Sequence, residues 1–270
     1  MAFVCINGAF FKEEEPVLDL QNLSFKYGDG FFETMKICSG AIPLWAWHVK
    51  RMESSLKLLQ FPFAGKDLPD PDLILELCRR NGCQALGRVR IAFFRTSKGW
   101  GFAVEAWSLD REINYLNQVG LSLAIYPMVR KSTDAFSNLK SANYLPYVMA
   151  SLYAQEKGVD DCLVLNSFHH IADSSKANVF LVKNNVLITP ALHQGCVNGV
   201  MRGYLIENCK SIGIAVRQQV VTEKDLMEAD EVFLTNAVYG LRWVGTFADN
   251  RYTSQLSALL HENLIATIFR

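Results

Sequence analysis

Lys140 has the neighbours that covalent chemistry at a lysine would call for. It closes a polar stretch, Val129 to Asn138, and stands just before Ser141-Ala142-Asn143-Tyr144 and an expected helix. An amine attacks a carbonyl only when neutral, and a positive helix end could help lower a lysine's pKa. Most lysines beside loops are simply solvated, so position alone decides nothing. His48 and Arg51 lie one helical turn apart and could converge on an anion, although such pairs are more often solvated or structural. Asn198-Gly199-Val200-Met201-Arg202 reads as a loop opening a helix, which aims backbone N–H groups at an anion. Thr235-Asn236-Ala237, at the end of an apolar strand, has the same type of geometry. Either could be only a cap. Together with Arg51 they would form a phosphate cradle, but spacing does not show that they meet.

Other groups read more plainly. Tyr27-Gly28-Asp29-Gly30 lacks the Lys-Ser/Thr that a phosphate loop requires and is expected to be a tight turn before a strand. His169-His170 beside Asp173 suggests a metal or a dyad, but adjacent histidines on a strand point apart, and a turn is the simpler expectation. No G-x-S-x-G elbow or H-E-x-x-H helix occurs, which weakens the hydrolase and metallopeptidase readings. Arg88, Arg90 and Arg95 share a strand-like run. Arg88 and Arg90 fall on one face and Arg95 on the other unless a bulge intervenes.

The positioning elements follow from periodicity and punctuation. Strands are expected at Phe3 to Asn7 and Phe31 to Ile37, then a Ser39-Gly40 turn and Ile42 to Leu44. A helix follows from Trp45 to Gln60, and Asp70-Pro71 caps another that Gly82 closes. β-rich runs cover Arg88 to Arg95 and Phe102 to Ser108. The polar stretch Leu109 to Gln118 separates an expected domain of residues 1–113 from one of residues 119–270. Beyond it come Val119 to Tyr126, a helix from Pro146 to Glu156 closed by Gly158, and strands at Asp161 to Leu165, Asn178 to Val182 and Val186 to Thr189. A helix from Asn198 to Ser211, strands at Ala215 to Gln219 and Glu231 to Thr235, and an amphipathic helix ending at Arg270 complete the order. The mixture predicts an α/β or α+β protein in two parts.

Composition narrows the function. The 270 residues, half of them apolar, can bury a large core, and 27 Lys plus Arg balance 27 Asp plus Glu, so no net field draws the chain to nucleic acid or an anionic membrane. The seven cysteines show no C-x-x-C pair or metal spacing, which suggests reduced thiols. Met1 to Phe11 has no positive leading region, and no run reaches the roughly eighteen apolar residues of a membrane span. The expectation is a soluble, cytoplasmic protein with a small-molecule substrate.

The order of the pieces adds what no single piece carries. Tyr27-Gly28-Asp29-Gly30-Phe31-Phe32-Glu33-Thr34, His48-x-x-Arg51, Lys140-Ser141-Ala142-Asn143-Tyr144-Leu145, Asp173 to Phe180, Gly199-Val200-Met201-Arg202 and Ala229 to Ala237 together resemble the class IV aminotransferase family. That family holds branched-chain and D-amino acid aminotransferases and aminodeoxychorismate lyases. The resemblance spans about Asn7 to Val244. It implies the fold-type IV architecture of two α/β domains, pyridoxal 5′-phosphate bound between them, and an active site completed in a homodimer.

By resemblance, Lys140 matches the lysine that carries the cofactor as a Schiff base and shuttles the proton between substrate and cofactor. Arg51 matches the phosphate-binding arginine, and the backbone at Val200 and Met201, with Ala237, matches the remaining phosphate contacts. Met201 and Ala237 replace frequent threonines. Tyr144 matches a tyrosine that in some members bonds the cofactor's phenolic oxygen. Asp173 stands where the pattern has a glutamate facing the ring nitrogen, which keeps the ring protonated as an electron sink. It is one methylene short. Tyr27, Arg88, Arg90 and Arg95 are the substrate candidates, with surface or core placement as the competing reading. The function so implied is amino transfer between a small amino acid and a 2-oxo acid. The Thr235-Asn236-Ala237 run looks more like the lyase pattern and keeps pyruvate-releasing aminodeoxychorismate lyase as the alternative. A binding protein that retains the fold without turnover is a third reading, motivated by Asp173.

Overall fold

Alternating apolar runs punctuated by Asn and Gly turns build two sheets, and the computed structural model describes residues 2–15, 19–63, 67–97 and 99–269. The chain divides into two compact units. One comprises Met1–Ile113, Leu139–Asn143 and Ile268–Arg270, the other Asn114–Asn138 and Tyr144–Thr267. Lys140 thus belongs with the first unit although its sequence neighbours on both sides belong with the second.

In the first unit, β1 (Phe3–Ile6) and β2 (Ala9–Lys12) form a hairpin whose turn residues Asn7 and Gly8 take φ of 49° and 89°. Two successive positive φ values match the twist of the flanking strands, which is why Asn-Gly sits there. Next come α1 (Leu23–Tyr27), β3 (Gly30–Cys38), α2 (Trp45–Leu58), α3 (Pro71–Arg80), β4 (Leu86–Thr96) and β5 (Gly99–Ser108). The strands make one antiparallel sheet in the order β2-β1-β5-β4-β3. Phe31, Met35 and Ile37 of β3 share a core with Val89, Ile91 and Phe93 of β4, Met52 and Leu56 of α2, and Ile74 and Leu77 of α3. Asp70 caps α3 by accepting from Asp72 N–H, with Pro71 in the first turn and Gly82 at φ 68° just past the end, as expected. The expected strand at Ile42 to Leu44 does not form. A lone Cys38–Ala41 bridge takes its place, and Leu44 at φ 58° is the residue that starts α2.

The second unit contains β6 (Leu121–Lys131), α4 (Leu145–Lys157), β7 (Asp161–Asn166), β8 (Ile171–Ser174), β9 (Asn178–Lys183), β10 (Val186–Pro190), α5 (Val200–Asn208), β11 (Ala215–Gln219), α6 (Glu223–Met227), β12 (Glu231–Asn236), β13 (Gly240–Phe247), β14 (Asn250–Arg251) and α7 (Gln255–Leu260). The sheet order is β11-β10-β9-β12-β13-β6-β7-β8, with β14 beside β13. The sheet curls, because Ile171 N–H on the β8 edge donates at 2.8 Å to the carbonyl of Val221, just past β11 on the opposite edge. Leu163, Ile171, Val179, Leu181, Val232 and Val244 form its core.

Three differences from the sequence expectation matter. β6 continues through Val129 to Lys131, where a polar loop was expected, because Arg130 and Lys131 resume pairing with Leu165 and Asn166 after a break in register. β8, β13, β14 and α6 carry too little apolar alternation to stand out. The final helix passes through a wide turn at His261–Ile265 and a short segment Ala266–Ile268. The expected end at Arg270 lies outside the described residues.

Candidate active site

In the first unit, Leu139–Asn143 runs along the edge of β3. Phe32 N–H donates to Lys140 O and Ala142 N–H to Gly30 O, both at 2.9 Å, and Phe31 pairs with Ser141. Lys140 is therefore set by extended backbone on a strand edge, not by the end of a helix, since α4 begins only at Leu145. Its Nζ lies 4.6 Å from the centroid of the Phe32 ring, and the Arg90 guanidinium lies 4.9 Å from the same centroid. The negative face of an aromatic ring favours both cations.

Arg51 reaches the face of β3 on which Glu33 stands with Phe31, Met35 and Ile37. Arg51 donates Nε to Glu33 Oε2 at 2.9 Å and Nη2 to Oε1, and His48 Nδ1 lies 3.0 Å from Oε1. Burial alone would raise the Glu33 carboxyl, but the charges of Arg51 and His48 and their hydrogen bonds overcome it and hold the group well below the usual carboxylate range. Glu33 is a site residue that reasoning from spacing passed over. Its one signal is a carboxylate inside the apolar run Phe31-Phe32-Glu33-Thr34-Met35-Lys36-Ile37, where an ionised group persists only if paired.

The substrate candidates are dispersed. Arg90 pairs with Glu105 at 3.0 Å, exposed Arg88 lies 5.7 Å from the Trp107 ring, and Arg95 donates to Leu59 O, with Asp29 at 3.7 Å. No bulge interrupts β4, so Arg95 does fall on the face opposite Arg88 and Arg90. Tyr27 ends α1, largely exposed, and Gly28 at φ 68° turns the chain into β3, the tight turn expected there.

The second unit holds Asp173 on β8, 2% exposed. Its Oδ2 accepts from Lys131 Nζ at 2.9 Å, Tyr147 Oη at 2.8 Å and Val197 N–H at 3.0 Å, and its Oδ1 accepts from Asn178 Nδ2 at 2.9 Å. Tyr144 stacks on Tyr147 with centroids 4.5 Å apart and donates its hydroxyl to Ser175 O at 3.3 Å. Val200 and Met201 form the first turn of α5, whose preceding residue, Gly199, supplies no side-chain cap. A Cβ on Gly199 would overlap Asn178 Oδ1, so glycine is required there for close approach. Asn178 pairs across the ladder with Thr235, whose Oγ1 is buried without a hydrogen-bond partner among the described residues. Ala237 follows in a turn held by Asn236 Oδ1, which accepts from Val238 and Tyr239 N–H.

His169 adopts φ 62° in a turn and His170 Nδ1 lies 2.8 Å from Gln194 Oε1, so the histidine pair is structural. Among the described residues no group of three His, Cys, Asp or Glu could hold a metal ion.

Comparison with known proteins gives this constellation a family. The model of the family "Amino-transferase class IV" matches residues 30–246. The aminodeoxychorismate lyase of Bacillus subtilis (strain 168) is 28% identical over 246 residues, covering 87% of this chain and 83% of that protein. The branched-chain-amino-acid aminotransferase of Escherichia coli (strain K12) is 26% identical over 253 residues, covering 86% and 81%. Among solved structures, the T.th. branched-chain amino acid aminotransferase complexed with N-(5'-phosphopyridoxyl)-L-glutamate superposes with a TM-score of 0.86 at 25% identity, covering 99% of this chain and 94% of that one. A family model that spans both units in the order of the motifs above shows that the chain belongs to the class IV aminotransferase family.

Proposed function

We propose that this protein is a pyridoxal phosphate enzyme that moves an amino group between a small amino acid and a 2-oxo acid, with Lys140 as the residue that carries the cofactor. The observation that supports it most directly is the clamping of Lys140 on the edge of β3, where the pairing of its own carbonyl with Phe32 N–H and of the following Ser141 and Ala142 with Phe31 and Gly30 fixes where its side chain starts. A reactive amine gains from such fixed placement, since its orientation cost is met in folding.

The donor set fits the cofactor's groups. Thr235 Oγ1 is a buried hydroxyl without a partner among the described residues, beside the Asn178–Gly199 contact and the uncapped first turn of α5, and such an orphaned polar atom is one that a phosphate oxygen satisfies. The N–H groups of Val200 and Met201 and the backbone at Ala237 would hold the phosphate, and the family resemblance alone assigns Arg51 as its charged ligand. Tyr144 would flank the ring, and Asp173 would accept from the ring nitrogen. When bound, the cofactor supplies an electron sink for the carbanion that forms at the substrate's α-carbon. The chain's own part is to bind and orient it and, at Lys140 Nζ, to take and return the α-proton.

Release of pyruvate from aminodeoxychorismate is the second reading, favoured by the similarity to the Bacillus subtilis lyase and by the Thr235-Asn236-Ala237 run. Pyruvate release without an amino acceptor would select it. We place the enzyme in the cytoplasm, a reading supported by seven free cysteines, all buried, and by the absence among the described residues of any helix long and apolar enough to cross a membrane. We read it as a homodimer, because α4 exposes Leu145, Val148, Met149 and Leu152, a stripe at helical spacing that a second copy would bury.

Borohydride reduction of the protein with pyridoxal phosphate, followed by peptide mapping, tests the central claim. A cofactor tag on Lys140, lost in Lys140→Ala, is the expected result. A loaded protein tagged elsewhere would refute it.

A further inference from the structure

Asp173 raises a question that hydrogen bonding alone does not answer. A buried carboxylate needs donors, and Tyr147 Oη, Val197 N–H and Asn178 Nδ2 already provide three. The fourth, Lys131 Nζ at 2.9 Å, is different in kind because it brings a full charge. Lys131 ends β6, reaches past the intervening β7 to β8, and has a side chain only 10% exposed. Burying an ammonium is unfavourable before it is paired, and here the pairing is with a carboxylate that already has three neutral donors. The same Nζ lies 5.2 Å from the centroid of the Tyr147 ring, so lysine, tyrosine and carboxylate form one packed group.

The donors are distributed unevenly. Three converge on Oδ2 and one on Oδ1, which leaves Oδ1 with the open acceptor position among the described residues. A carboxylate beside an ammonium also has less charge to offer a second cation than one held by neutral donors.

We propose that Lys131 is a positioning residue for the ring-nitrogen contact assigned to Asp173. It clamps Oδ2 so that Oδ1 faces the ring, and it takes a share of the carboxylate's charge, so that the ring nitrogen holds its proton less firmly than Asp173 alone would make it. This inference rests on the cofactor reading above. It names Lys131 as a setting for the strength of the electron sink, a feature that the spacing of the site motifs does not reveal.

The test is the magnetic resonance shift of pyridoxal phosphate labelled at the ring nitrogen and bound to the protein, with the Lys140 tag as an independent check of loading. Lys131→Met and Lys131→Gln are expected to move the resonance toward the protonated pyridinium position, while Lys131→Arg, which keeps the charge, stays at the wild-type position. Lys131→Gln retains a donor for Oδ2 and decides the matter if Lys131→Met does not fold. Charge-free variants that carry the tag yet resonate at the wild-type position would overturn the proposal and leave the cofactor reading intact. A wild-type protein without the tag would overturn both.

Discussion

Arg51 holds Glu33 through Nε at 2.9 Å and through Nη2, and His48 adds Nδ1 at 3.0 Å, around a carboxylate only 1% exposed. The Arg51 guanidinium is thereby oriented by a buried anion. Because the Glu33 pKa is depressed in the fold, its contribution is fully present above the ordinary carboxylate value and is lost as pH falls through the depressed one. Glu33→Gln is expected to cost about 3–5 kcal/mol at neutral pH, since it removes the buried carboxylate that Arg51 and His48 hold. The gap to wild type should narrow below about pH 4, as the unfolded wild-type chain takes up a proton that the folded one still refuses. Denaturant melts from pH 3 to 8 would show this, and a gap of constant size would contradict it.

Arg51→Lys keeps the charge but not the planar fork. One ammonium cannot reproduce the paired contact with Glu33 and also hold a phosphate. Loss of a charge-assisted contact of about 1.5–3 kcal/mol corresponds to roughly ten- to hundredfold weaker binding of pyridoxal phosphate. A spectroscopic titration measures it, and unchanged affinity would remove Arg51 from the phosphate assignment.

Gly199→Ala tests the close approach that holds Asp173 in place. The new methyl group would displace the Asn178 amide that donates to Asp173 Oδ1 and to Val197 O. We expect a stability loss of about 1–3 kcal/mol from overpacking, together with weaker cofactor binding. A protein that is as stable as wild type and binds the cofactor equally well would show that the contact relaxes without consequence.

Val148→Glu with Leu152→Glu places two charges on the exposed stripe of α4. If the stripe is the interface of the proposed homodimer, light scattering on a sizing column should show a dimeric wild type and a monomeric variant, because desolvating an unpaired carboxylate at an interface costs several kcal/mol. A double variant that stays dimeric would move the interface elsewhere.

Much of the local structure was legible in the residues themselves. Asp70-Pro71 and the Gly158 cap at φ 67° each follow from the conformations those residue types tolerate. The order of the motifs from Tyr27 to Ala237 identified the family that the match over residues 30–246 shows. Tertiary structure alone decided which side chains those elements bring together. Lys131 stood in what reads as a polar loop, yet it completes β6 through pairing with β7, a strand it meets only in space. Glu33 lies 15 positions from His48 and 18 from Arg51, and Lys131 lies 42 from Asp173. Periodicity reports what a residue's near neighbours in sequence do with water. A buried charge is decided by whichever distant group arrives to neutralise it, so the Glu33–Arg51 and Lys131–Asp173 pairs could be seen only once the sheets had formed.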